Sequence, residues 1–401
     1  MAKFDMPKTV AERDELLTRS RTLKMARSTH AYVRGNTALF YTWLLDSKVV
    51  RDVPAGPPVW ICGDCHLGNL GPLADNEGRI AVQIRDLDQT VIGNPAHDLI
   101  RLGLSLASAA RSADLPGVTT AHMIEQMIVG YSRALAEPDD IEAILEPADI
   151  RTIRRRARSR RWRHLAEERL QDVRPSIPIG KRFWDLIGSE REALAEVIAG
   201  DEIRELIRSF GGRDEEVELS LLDAAYWKKG CSSLGKMRFA ALIGISRQKH
   251  NDEYALIDLK EAVESVAPTT SGSDMPSDAA QRVVTGAKAL SPNLGNRMAA
   301  ATMLGAPVVV RELMPQDLKL EIDQFSRAEA AVAARYLAHV VGIAHARQMD
   351  EATRREWRAE LDRRHSATLD APTWLWSSVV ELAAAHEAAY LNHCREYAAR
   401  A

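Results

Sequence analysis

Apolar residues recur at helical spacing over much of the chain, and the places where they do not are what give it a plan. Between residues 8 and 47, Leu16, Leu17, Ala38, Leu39, Tyr41, Trp43 and Leu44 predict helix, interrupted near Arg34-Gly35. Two short apolar runs follow: Val59, Trp60 and Ile61 read as a strand end, and Arg79–Ile84 as a second β-like run. Asp98–Arg111 carries Leu99, Leu102 and Leu106 on one face and predicts a core helix. Residues 118–136, 139–146 and 184–207 predict further helices. The texture changes between Ala224 and Val310. Phe239–Ile245, Tyr254–Lys260 and, just past that limit, Ala306–Leu313 read as strands. Residues 267–278, rich in Pro, Ser and Gly, read as a loop, and 279–290 as helix. From Ser326, which makes a capping box with Glu329, the stripe Ala331, Ala334, Leu337, Val341 and Ile343 predicts a long helix ending near Arg347. A last helical region covers 374–399. The expected protein is therefore α+β in three parts: a helical part at 1–210, a β-rich lobe at 211–315, and helices returning to the large lobe at 316–401.

Length and charge narrow the class. A chain of 401 residues has room for two lobes with sizeable cores. Apolar content of 46% and charged content of 27% are those of a folded globular protein. A net charge of −3 gives no global case for nucleic acid or membrane as partner. No apolar run reaches membrane-span length and the start lacks a signal-peptide core, so the expected location is the cytoplasm. The arginine run at 151–165, followed by Glu167 and Glu168, reads as a solvated helix face. Four cysteines make no disulfide framework in a chain of this size. Cys62 and Cys65 form a C-x-x-C pair, but zinc would want a second pair, so the spacing reads as incidental.

Candidate chemistry gathers on the polar loops between the short apolar runs. Asp64 and Asn69 stand five apart, Asp86 and Asp88 follow the second run, and Asp98 opens the core helix. Magnesium takes hard oxygen ligands, one or two carboxylates with phosphate and water filling the rest, and this set offers them. Each residue also has a plainer reading. Asp64 and Asn69 suit turns, Asp98 suits a helix cap, His66 and His97 suit structural hydrogen bonds, and Lys260 suits a strand end. Arg34 is either a surface arginine or a forked donor for a phosphate.

Gly63-Asp64-Cys65-His66-Leu67-Gly68-Asn69 resembles the HGDxHxxN loop of aminoglycoside phosphotransferases and related kinase-like small-molecule kinases. Asp86-Leu87-Asp88 is similar to their metal-binding segment, and Pro95–Leu99 to the helix whose aspartate braces the catalytic loop. The stretches MARSTHAYVRGN, GDCHLGNLG and DLIRLGLSLA together resemble a bacterial family of uncharacterised proteins, over roughly residues 20 to 350. The resemblance implies ATP and Mg²⁺ as cofactors and a hydroxyl of a small molecule or protein as acceptor. Asp64 would orient or accept the hydroxyl proton, with Asn69, Asp86 and Asp88 on the metal. His66 and Asp98 would support the loop. Gly230, Ser232, Ser233 and Gly235 would lie over the phosphates, Lys260 would reach them, and the backbone near Glu312 and Met314 would face adenine. In the related kinases the glycine loop and lysine precede the catalytic loop; here they follow it, which implies a circularly permuted kinase-like fold.

This chain departs from the pattern at four points. Cys62 stands for the usual histidine, and Asp88 for a glycine. Asp258 lies two before Lys260, where a small apolar residue usually touches adenine. No helix glutamate is placed to pair with Lys260. Two other readings stay open: a metal-dependent hydrolase built on Asp64, His66, Asp86, Asp88 and His97, and a non-catalytic nucleotide-binding pseudokinase. Nucleotidyl transfer is a further variant of the first reading.

Overall fold

A computed structural model describes residues 6–140, 144–160, 176–210, 213, 217–230, 234–247, 250–318, 327–363 and 369–400. Three helices open the chain: α1 (Val10–Met25), α2 (Thr29–Gly35) and α3 (Thr37–Asp46). Thr9, Ser28 and Asn36 cap them, each side chain accepting a backbone N–H of the first turn. The interruption expected at Arg34-Gly35 is the α2–α3 junction.

Four short strands follow: β1 (Val59–Ile61), β2 (Leu70–Ala74), β3 (Ile80–Ile84) and β4 (Val91–Gly93). They form two antiparallel pairs, β1 with β4 and β2 with β3. This pairing brings the loop after β1 beside the turn between β3 and β4. Next come α4 (Pro95–Ser112), α5 (Gly117–Ala136) and α6 (Ala148–Ser159). Helix α4 is buried nearly all round, with Leu99, Ile100, Leu102, Leu104 and Leu106 in one core. Of the helix expected at 139–146, residues 141–143 lie outside the described residues; 138–139 are turn and 144–147 are loop.

The sheet body begins with β5 (Phe183–Trp184), then α7 (Glu190–Ala199), α8 (Asp201–Arg208), β6 (Glu218–Trp227), β7 (Arg238–Arg247) and β8 (His250–Glu261). Helix α9 (Ala279–Leu290) leads to β9 (Met298–Met303) and β10 (Ala306–Glu312). The six strands are antiparallel in the order β5-β6-β7-β8-β10-β9. One face, with Phe239, Ile243, Ile257 and Val310, packs on Leu194, Ile198, Ile203 and Ile207 of α7 and α8. Those two helices thus belong with the sheet, although composition alone sets the change near residue 211.

Three helices close the chain: α10 (Arg327–Ala346), α11 (Glu351–Asp362) and α12 (Thr373–Arg400). Ser326, half of the expected capping box, lies outside the described residues. Helices α5 and α10 approach closely at glycines. A Cβ on Gly130 would stand 2.0 Å from the Arg335 carbonyl oxygen, and one on Gly342 would stand 2.6 Å from Ala134 Cβ.

Helix α1 touches both bodies. Leu17 joins the outer core of the sheet, and Arg13 donates to Glu190 in a buried ion pair at 3.0 Å. Lys24 Nζ donates to the Gly230 carbonyl at 2.7 Å. On the helical side, Arg21 donates to the Gly35 carbonyl and Tyr390 of α12 to the Ala26 carbonyl. Among the described residues, no helix is long and apolar enough to cross a membrane.

Candidate active site

The loop after β1 is fixed by its backbone before any side chain is considered. Gly63 has φ +73°, and a Cβ there would lie 2.1 Å from the Gln89 carbonyl oxygen, so only glycine fits. Asp98, in the first turn of α4, accepts the N–H of Cys62 at 2.7 Å and of Gly63 at 3.0 Å. His345 Nε2 lies 3.2 Å from the same carboxylate, and its Nδ1 is 2.9 Å from the Tyr131 hydroxyl. Trp357 donates to that hydroxyl at 3.2 Å. Because the Asp98 carboxylate can only accept, the His345 N–H that faces it is on Nε2, and a neutral ring then takes the phenol hydrogen at Nδ1. A chain of hydrogen bonds thus runs from α11 to the loop. Tyr41 donates to the Gly63 carbonyl and Thr90 to that of Ile61, both at 2.6 Å.

Asp64 projects from this loop with its two carboxylate oxygens in different surroundings. Oδ1 accepts from Arg101 Nε at 2.8 Å. Arg101 has no solvent exposure and spends a second N–H on the Val33 carbonyl at 2.6 Å. Oδ2 is 4.0 Å from His66 Nε2. Burial raises the Asp64 pKa despite the opposing Arg101 charge, and burial with the Arg34 charge holds His66 well below its usual range. The Asn69 amide donates to the Asp64 carbonyl at 2.9 Å, which fixes the amide orientation and turns its oxygen to other partners.

Lys260, near the end of β8, reaches across from the sheet. Its Nζ is 3.2 Å from Asp86 Oδ1 and is also bonded to Asp88 Oδ2. Burial opposes the lysine charge, but Asp86 and Asp88 outweigh it and raise its pKa. For Asp86, burial pushes upward and Lys260 wins, so its carboxyl is held low. Burial and the Asp86 charge instead push Asp88 up to about 6. A cavity of about 380 Å³ opens over this floor, lined by Asp64, Asn69, Asp86 and Asp88, with Arg21 and Lys236 on its walls.

Asp64, Asn69, Asp86, Asp88 and Lys260 are thus brought to one place, with His66 and Asp98 beneath them. Gly230 and Gly235 both have positive φ, +86° and +91°, while Ser232 and Ser233 lie outside the described residues. Arg34 packs its guanidinium on Gly68, where a Cβ would stand 2.7 Å from its Cζ, and it does not line the cavity. Glu312 and Met314 are turned to structural use. The Glu312 side chain pairs with Arg213 through two hydrogen bonds, and its carbonyl accepts from Arg297 at 3.1 Å. The Met314 carbonyl accepts from Asp317 N at 3.0 Å.

Among the described residues, Cys62, Cys65 and Asp98 have potential ligand atoms within 4.8 Å of one another. They fit zinc poorly: Asp98 already takes three hydrogen bonds, and burial pushes the Cys62 thiol well above its usual range.

Arg101, Arg21 and Lys236 carry no expected role in the sequence, and Asp258 has no expected partner there. In the structure Asp258 is buried and bound by Arg238 at 2.9 and 2.6 Å and by Arg311 at 3.1 Å. Burial would raise its pKa, but the two guanidiniums hold it below the usual carboxylate range. A signal for Arg101 existed: it is a lone cation at a core phase of a leucine-rich helix.

Fold and site together define a mixed α+β protein in which carboxylates on helix-braced loops face a lysine from an antiparallel sheet. The chain belongs to the family described as uncharacterized protein conserved in bacteria (DUF2252), whose model matches residues 13–396. No curated protein and no solved structure matches it.

Proposed function

We propose that the protein is an ATP- and Mg²⁺-dependent phosphotransferase acting on a hydroxyl, on a kinase-like fold whose catalytic segment precedes its nucleotide lobe. The observation that carries this reading is the meeting of Lys260 with Asp86 and Asp88, 174 and 172 positions away, at the rim of the cavity that holds Asp64 and Asn69. The order of the sheet supports it. Strands β6, β7 and β8, then α9, β9 and β10, supply a lysine-bearing sheet with a helix inserted before its last two strands.

The residues present suit a divalent cation. Asp64, Asp86 and Asp88 supply hard carboxylate oxygens, held by ion pairs with Arg101 and Lys260. The Asn69 oxygen and the Asp86 carboxylate would hold Mg²⁺, with Asp88 beside them; the metal would neutralise phosphate charge. Asp64, with Oδ1 anchored on Arg101 and its carboxylate also hydrogen-bonded by Thr37, would orient the acceptor hydroxyl. Lys260 passes from the carboxylates to a phosphate oxygen as a point charge. The hydrolase reading needs His97 among the acids, but His97 sits against the Tyr41 ring and does not line the cavity.

The test is ATP consumption with Mg²⁺ against a panel of hydroxyl acceptors. Asp64→Ala is expected to lower turnover by about 10²-fold or more, the usual share of a positioned acid or base. Turnover unchanged in that variant would overturn the assignment.

A further inference from the structure

Resting on that reading, we propose that the donor site recognises a magnesium-bound triphosphate and makes no slot for a base. The resemblance puts adenine under the sheet, between Lys260 and the 312–314 segment, and two groups of side chains already fill that space. Arg238, Asp258 and Arg311 form a buried ionic network there, drawn from β7, β8 and β10. The space left beside it is about 40 Å³, enough for a few waters and far short of a purine. Next to it, Ile177 and Phe183 pack with Ala240, Leu242, Leu256 and Leu313 into a separate apolar cluster. Arg238, Asp258 and the apolar cluster are almost fully buried and Arg311 is partly so, and together they occupy this part of the sheet face.

Part of the backbone that would pair with a base edge is also engaged. Leu313 N donates to the Leu256 carbonyl at 2.9 Å, and the carbonyls of Glu312 and Met314 accept from Arg297 and Asp317. Opening the slot would leave Asp258 buried beside displaced guanidiniums, which is costly. The space that does exist is the polar cavity of about 380 Å³ over the acids. Arg21 and Lys236 line it as cations with Glu264 beside them, and Asp86 and Asn69 sit where a phosphate-bound metal would lie. Such walls suit a triphosphate chain with its metal, and they are charged where a flat ring would want apolar contact.

Calorimetric titration of the full chain separates the outcomes, using ATP, GTP, CTP and inorganic tripolyphosphate, each with Mg²⁺, and adenosine alone. The expected result is Kd values within about threefold for all four polyphosphates and no heat from adenosine. Lys236→Ala should weaken ATP and tripolyphosphate by the same factor. Tenfold tighter binding of ATP than of tripolyphosphate, or binding of adenosine alone, overturns the inference and leaves the phosphotransferase reading standing. Failure of every polyphosphate to bind overturns both.

Discussion

The carboxylate of Asp64 stays useful because its two oxygens are treated differently. Burial alone favours the protonated acid, and Arg101 supplies the opposing charge from a position with no exposure. Removing that cation leaves an uncompensated buried carboxylate, a change that costs about 3–5 kcal/mol where it has been measured. Arg101→Met is therefore expected to lower unfolding free energy by about 3 kcal/mol in urea titration. An unchanged midpoint would show that the pair does not hold the loop. At this scale the chemistry was partly legible. Asp64, Asn69, Asp86 and Asp88 stand out by their spacing and company, since any one of them alone would pass as a turn former. Arg101 is less plain, because only its phase among the leucines of α4 points it toward the core. The Arg238–Asp258–Arg311 network does not stand out, as its members become neighbours only when β7, β8 and β10 are in register.

Among the elements, helices and strands were legible where pattern and propensity agreed. The β-branched and apolar runs of β7, β8 and β10 and the stripe of α10 are of this kind. Strand β9, Met298-Ala-Ala-Ala-Thr-Met303, is not, since alanine favours helix; its pairing with β10 decides the matter. Helix α11 was missed because only Trp357 and Leu361 are buried on it. The α5–α10 crossing gives a test in which two effects oppose. Gly130→Ala gains up to about 1 kcal/mol of helix propensity. It also sets a methyl 2.0 Å from a backbone oxygen that cannot swing aside, and overpacking of this kind costs about 1–3 kcal/mol. The clash is expected to win, with a lower melting temperature; a raised one would mean that the helices separate freely.

Over the whole molecule, buried histidines set the response to acid. Burial lowers the pKa of His97 and of His386 to about 4 and also lowers those of His66 and His339. Between the ordinary value of 6.5 and about 4, the unfolded chain takes up protons that the folded chain refuses, so stability falls as pH falls. Asp88, raised to about 6, works the other way and gains on acidification, as do Asp64 and Glu312. Four histidines titrate from 6.5 downward, whereas the raised acids contribute fully only near the carboxylate range. The net expectation is a lower urea midpoint at pH 5 than at pH 7. Equal midpoints would show that these histidines are protonated in the folded chain.

Helix α1 is bolted at Glu190 and Gly230 on one jaw and at Gly35 and α12 on the other. Parting the jaws would first have to break these bonds, so the width of the cavity between them hangs on the seating of a single helix.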